Sequence, residues 1–184
     1  MAEVTSKELR NIVKSEYPYK GKILDLRVDS VKFPSGSVKI REVVEHKSAV
    51  AILPVSSDGK ICLISQYRHA VDLDIYEIPA GLAEEGEESK ETALRELREE
   101  IGYTASSIVK IADFISSPGY STEKITLFYA HDLSESKLPE DDDEYITAHW
   151  LTCDEVEKMI SDGTINDGKT IMAYYWYKSE KSKI

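Results

Sequence analysis

Hydrophobic and polar positions along the chain already separate its elements. Residues 3–16 are mixed and predict a short helix or a frayed lead-in. From Gly21 the pattern turns strand-like. Ile23, Leu26, Val28 and Val31 lead into a turn at Pro34-Ser35-Gly36, and residues 38–45 return from it, which predicts a hairpin. Residues 49–55 form a continuous apolar run, as in a buried strand; Ser56-Ser57-Asp58-Gly59 reads as a turn and residues 61–66 as the next strand. Residues 108–114, 124–130 and 145–151 predict further strands, and residues 154–160 and 170–177 predict helices. No internal repeat or low-complexity linker interrupts this order. The pattern divides the chain into a small N-terminal sheet, residues 1–46, and a main domain, residues 47–184.

The longest helical pattern runs over residues 89–101. Leu94, Leu97 and Ile101 recur at i, i+3 and i+7 and form an apolar stripe. Glu96, Glu99 and Glu100 recur at i, i+3 and i+4 and form a second, acidic face, and Gly102 follows where a glycine stop belongs. Three carboxylates on one face repel one another unless something neutralises them. A hard divalent cation such as Mg²⁺ does so with oxygen ligands, completed by phosphate and water. Arg95 and Arg98 offer the alternative of a salt-bridged surface helix.

Composition narrows the classes. The 184 residues are 41% hydrophobic, enough for a real core, and carry a net charge of −11. That charge excludes non-specific nucleic-acid binding and docking on an anionic membrane, both of which need cations. It is unevenly placed. Residues 84–100 hold eight Glu against Lys90, Arg95 and Arg98, and residues 140–144 read Glu-Asp-Asp-Asp-Glu. The charged opening lacks the apolar run of a signal peptide, and residues 49–55 are too few to span a bilayer. Cys62 and Cys153 form no Cys-x-x-Cys, so a reducing, cytoplasmic location is expected. His46, His69, His131 and His149 have no metal-ligand spacing.

Gly81 to Tyr103 reads G-L-A-E-E-G-E-E-S-K-E-T-A-L-R-E-L-R-E-E-I-G-Y. This resembles the Nudix box, G-x5-E-x7-R-E-U-x-E-E-x-G-U, in which U is a bulky aliphatic residue. Gly81, Glu87, Arg95, Glu96, Leu97, Glu99, Glu100 and Gly102 match in register; Tyr103 in the last U position is a departure in packing and not in ligands. Such a coincidence has a chance on the order of 10⁻⁹ per register. The resemblance implies an α/β fold: an α/β/α sandwich with a mixed sheet, plus a small N-terminal antiparallel sheet that exchanges between two subunits. It implies a hydrolase of nucleoside diphosphates linked to another moiety, with Glu96, Glu99 and Glu100 as ligands of Mg²⁺ or Mn²⁺. Gly81, Glu87, Arg95 and Gly102 then shape the loop and helix.

Within the family, Glu77-Ile78-Pro79-Ala80-Gly81 and Pro118, sixteen residues after Gly102, look like the ADP-ribose pyrophosphatase subgroup. That resemblance makes the Ala80 carbonyl a further metal ligand. It makes Arg41 and Arg68, the latter in Gln66-Tyr67-Arg68, substrate-binding arginines, and it places Leu82, Gly119 and Glu123 at the substrate. The general base is expected in the acidic loop, at Glu144 or Asp142, with Glu99 and Glu123 as alternatives. Tyr17, Tyr19 and Phe33 are possible adenine stackers. The implied reaction is Mg²⁺-dependent hydrolysis of ADP-ribose to AMP and ribose 5-phosphate by a homodimer. GDP-mannose or ADP-glucose are alternative substrates. A non-catalytic ligand-binding module is a further alternative, but such modules usually lack the Glu cluster that is complete here.

Overall fold

The computed structural model describes residues 11–138 and 145–181. Backbone contacts divide the chain into two units, residues 1–47 with 115–124 and residues 48–114 with 125–184.

The first unit is an antiparallel sheet of β1 (Asn11–Lys20), β2 (Leu24–Lys32) and β3 (Val38–His46), in that order. Residues 11–16 are therefore strand and not the expected helix or lead-in. Ile12 pairs with Val31 and Ser15 with Asp29, but the register shifts between Ile12 and Lys14 and again between Glu16 and Tyr19. Two shifts erase the period-two signature by which a strand is read. Pro18 sits inside the second, on the sheet edge, where its missing N–H costs no ladder bond. The segment 115–124 belongs to this unit because the Val44 N–H donates to the Tyr120 carbonyl (2.7 Å) and the Val44 carbonyl accepts from the Thr122 N–H (3.0 Å).

The second unit contains, in chain order, β4 (Ala49–Pro54), β5 (Ile61–Arg68), β6 (Leu73–Glu77), β7 (Ala80–Leu82), α1 (Ser89–Glu100), β8 (Tyr103–Ile115), β9 (Lys124–Glu135), β10 (Thr147–Leu151), α2 (Cys153–Ser161) and α3 (Gly168–Lys181). One sheet has the order β7-β4-β9-β8 and is mixed, since β4 runs parallel to β9 and antiparallel to β7. The other, β10-β5-β6, is antiparallel. Strand β4 explains its own apolar run. Val50 and Ile52 pack with Ala93 and Leu97 of α1, while Ala51 and Leu53 pack with Val156 of α2 and Ala173 and Tyr174 of α3. Both faces are buried, so no polar alternation survives. Helices on both sides of this sheet make the α/β/α sandwich that the family resemblance implies.

Helix α1 stops at Gly102, whose φ of +74° is left-handed and open to glycine at little cost. Helix α2 opens on a reciprocal cap in which the Thr152 hydroxyl accepts from the Glu155 N–H and the Thr152 N–H donates to the Glu155 carboxylate. Cys62 and Cys153 are both free. Among the described residues no helix is long and apolar enough to cross a membrane.

Candidate active site

The site is built on α1 and on the loop and short strand that precede it. In the loop, the Glu87 carboxylate accepts from the Glu84 N–H (3.2 Å) and from the Thr92 hydroxyl (2.9 Å). It also takes two bonds from Arg95, Nε to Oε1 and Nη2 to Oε2, each 3.2 Å. Arg95 then spans the site. Its Nη2 reaches the Leu82 carbonyl (3.0 Å), and its Nη1 reaches Glu96 Oε1 and Glu99 Oε2, both at 2.8 Å. One guanidinium thus ties the loop, the end of β7 and two turns of α1 together. Burial disfavours its charge, but the Glu87 hydrogen bond and the charges of Glu96 and Glu99 outweigh that and raise its pKa above the ordinary arginine value. In return, the Arg95 hydrogen bond holds the Glu87 carboxyl below the usual carboxylate range.

The three helix carboxylates face β7 unequally. Glu96 is only 8% exposed, so the acidic face is not wholly turned to solvent. Gly81 makes this possible: a Cβ there would lie 1.9 Å from Glu96 Oε1, so only a residue without one lets β7 close on the carboxylate. Glu100 Oε2 accepts from the Ala80 N–H at 3.0 Å. Ala80 and Gly81 therefore lie against Glu100 and Glu96 through backbone, and the Leu82 carbonyl lies against Arg95, which Glu87 holds in turn.

This donor set fits a hard divalent cation. Glu96, Glu99, Glu100 and the backbone carbonyls of β7 offer oxygen ligands, and the Glu96 carboxylate is seated against Gly81 in the space that a side chain there would take. Among the described residues, no three His, Cys, Asp or Glu side chains already converge as a metal site. Glu96 and Glu99 lean on Arg95 instead, and a bound ion has to compete with that guanidinium for their oxygens.

Arg68, at the end of β5, belongs to a second cluster that the sequence alone did not single out. Glu77, 2% exposed, takes Arg68 Nε on Oε1 (2.6 Å) and the Lys169 ammonium on Oε2. Lys169 also pairs with Asp167 Oδ1 (3.1 Å), and Asp167 Oδ2 caps α3 through the Thr170 N–H (3.0 Å) and hydroxyl (2.5 Å). The Thr170 oxygen accepts from the Ile78 N–H at 2.8 Å. Asp167-Gly168-Lys169-Thr170 is legible as a helix start; the pairing across 92 positions to Glu77 is not.

The remaining candidates lie in the first unit or outside the described residues. Arg41, on β3, has its guanidinium 5.7 Å from the centre of the Phe33 ring and bonds the Ile40 carbonyl. Gly119 and Glu123 lie in the segment between β8 and β9, where Glu123 Oε1 is 3.5 Å from His46 Nδ1. Asp142 and Glu144 lie outside the described residues. Buried Cys62, whose thiol burial pushes up to about 12, has no reactive character.

Two family models match successive parts of the chain. A family model described as NUDIX domain matches residues 45–174, and one described as nucleoside diphosphate sugar hydrolase N-terminal domain matches residues 11–44. The chain is similar to an ADP-ribose pyrophosphatase of Bacillus subtilis (strain 168), 39% identical over 179 residues and covering 96% of each chain. It is also similar to a methanol dehydrogenase activator of Bacillus methanolicus, 37% identical over 172 residues and covering 92% of this chain and 93% of that one. A solved ADP compounds hydrolase shares the fold, with a TM-score of 0.85 at 21% identity and 95% of each chain covered.

Proposed function

This chain belongs to the NUDIX domain family, and on that premise we propose that it is a cytosolic, homodimeric hydrolase of ADP-ribose that uses Mg²⁺, with Mn²⁺ as a substitute. Water and ADP-ribose yield AMP and ribose 5-phosphate. The observation that carries the reading is the Arg95-braced set of Glu96, Glu99 and Glu100 against the backbone of β7. Likeness to an ADP-ribose pyrophosphatase along nearly the whole chain supports the substrate. The free cysteines support a reducing compartment.

Glu96, Glu99, Glu100 and the Ala80 carbonyl would hold the divalent ion, which when bound screens the pyrophosphate charge and lowers the pKa of a water. The chain's own residues do the rest. Arg68 and Arg41 bind the phosphates or ribose, and Leu82, Gly119 and Glu123 complete the substrate contacts. Glu144 or Asp142 takes the proton of the attacking water as its oxygen bonds to phosphorus and the bridging P–O bond breaks. Glu99, bonded to Arg95, is the alternative base.

The test is a panel of ADP-ribose, ADP-glucose and GDP-mannose with Mg²⁺, resolved by product. AMP and ribose 5-phosphate should dominate. Glu96→Gln and Glu100→Gln should each lose about 10²–10⁴ in turnover, and Asp142→Asn or Glu144→Gln a similar amount with metal affinity unchanged. Preferred cleavage of GDP-mannose or ADP-glucose would reassign the substrate. Full activity in excess chelator would remove the metal from the reading.

A further inference from the structure

We infer that Thr92, inside α1 and outside the fixed positions of the Nudix box, is a positioning residue for the metal site: its hydroxyl seats Glu87, and through Glu87 and Arg95 it sets where Glu96 and Glu99 hold their carboxylates; the inference rests on the reading of those two glutamates as metal ligands.

A threonine inside a helix ordinarily turns its hydroxyl back on the carbonyl four residues earlier. Here that carbonyl is Glu88, at 3.3 Å, while Glu87 Oε2 lies at 2.9 Å. One hydroxyl carries one proton, and the nearer, charged acceptor takes it. Thr92 is 0% exposed, so water does not compete for that proton. Glu87 Oε2 also accepts from the Glu84 N–H and from Arg95 Nη2, both at 3.2 Å, and the Thr92 bond is the shortest of the three. Thr92 and Arg95 thus grip one carboxylate from the same face of α1, one turn apart.

The guanidinium passes that position on. All five N–H groups of Arg95 are engaged. Nε and one N–H of Nη2 fork onto Glu87, and the other N–H of Nη2 takes the Leu82 carbonyl. The two on Nη1 take Glu96 and Glu99. A planar group bonded on every edge cannot turn at one edge without moving at the others. The fork on Glu87 therefore fixes the plane of the guanidinium and the reach of Nη1. With the Thr92 hydroxyl replaced by a methyl, the Glu87 carboxylate faces an apolar group, draws away from it and carries the fork along. Glu96 and Glu99 then lose the fixed Arg95 partner that sets their carboxylates, and the cost falls on ion binding. Thr92 acts through Glu87 and does not itself touch the ion.

The experiment titrates the intact, metal-free chain with Mn²⁺ alone, reads free Mn²⁺ by electron paramagnetic resonance, and records Tm beside it. Thr92→Val keeps the shape and removes the donor, and should raise the Mn²⁺ Kd by about three- to tenfold. Thr92→Ser keeps the donor and deletes a buried methyl; it should lower Tm and leave Kd within about twofold. In the Glu87→Ala background Thr92→Val should add less than about twofold, because its effect travels through the missing side chain. With ADP-ribose, Thr92→Val should raise the Mg²⁺ concentration for half-maximal turnover by the same factor, while KM for ADP-ribose at saturating Mg²⁺ stays within about twofold. If Thr92→Val melts below the assay temperature, Thr92→Ala removes the same donor in a better helix former and should show the same rise in Kd. A role in packing alone moves Tm in these variants and leaves the metal titration where it was. An unchanged or tighter Kd in Thr92→Val and Thr92→Ala overturns the inference, as does an equal rise in Thr92→Ser or in the Glu87→Ala background. Mn²⁺ binding by Glu96→Gln and Glu99→Gln as tight as that of the unaltered chain overturns the reading of the ligands, and the inference with it.

Discussion

Arg95 does at one position what three carboxylates need before any ion arrives. A lone face of Glu96, Glu99 and Glu100 would repel itself, and its guanidinium answers two of the three while gripping Glu87 and the Leu82 carbonyl. The Glu87 carboxyl is held below the usual range first by the Arg95 hydrogen bond, then by the Glu84 amide and the Thr92 hydroxyl. A depressed carboxyl pKa stabilises the fold where the group is charged in both states, above the unfolded pKa of about 4.3. That contribution disappears as pH falls through the lower folded value. Arg95 keeps its charge across the same range, since its pKa is raised. Glu87→Gln should therefore lower Tm by about 2–4 °C at pH 7, the shift that ~1 kcal/mol makes in a chain of this size. The deficit should close towards about pH 3. Thermal melts of both proteins from pH 7 to 3 check it; a gap constant with pH would assign the Glu87 effect to packing.

At the scale of elements, the contact that matters is β7 on α1. Its closeness depends on Gly81, because the missing Cβ is the space that Glu96 Oε1 fills. Gly81→Ala forces the Glu96 carboxylate, buried and bonded to Arg95, out of place. The fold should persist, with near-native circular dichroism, while turnover falls by about 10², the cost of misplacing a reacting group by an ångström. Turnover within twofold of the unaltered chain would show that Glu96 has no fixed position to lose. How far these elements are legible follows from the range of the forces that make them. Helix α1, its stop at Gly102 and its three glutamates were readable, because a 3.6-residue period and a contiguous motif are local. The burial of Glu96 was not, because it is imposed by a three-residue strand too short to show any alternation. Strand β1 was misread because Pro18 and two register shifts break its period. The pairing of Lys169 with Glu77 joins residues 92 apart, and no spacing rule reaches that far.

The whole molecule adds the question of what covers the N-terminal sheet. Every residue of β1 is exposed, and Ile12, Val13, Tyr17, Tyr19, Val38 and Ile40 are among the large apolar side chains open to solvent in this unit. A three-stranded sheet with so much apolar surface in water is a surface for association. Its boundary was only partly legible. The hairpin was readable from its turn, whereas the grouping of residues 115–124 with it depends on backbone bonds to Val44 from a segment remote in sequence. A second copy of this chain is the occupant we propose, and the substrate contacts assigned to Arg41, Gly119 and Glu123 fall in this same unit. Light scattering on the intact chain should give twice the monomer mass. Placing a charge on the exposed apolar surface, as in Ile40→Lys, should shift the population towards monomer at micromolar concentration. It should lower kcat/KM for ADP-ribose by about tenfold or more if, as the proposed homodimer requires, the second copy supplies part of the substrate's binding energy. Helix α1 and its glutamates lie in the other unit, so circular dichroism and the pH dependence of Tm should stay close to those of the unaltered protein. A monomeric intact chain with full activity would assign the exposed apolar residues to some other partner and leave catalysis to one copy alone.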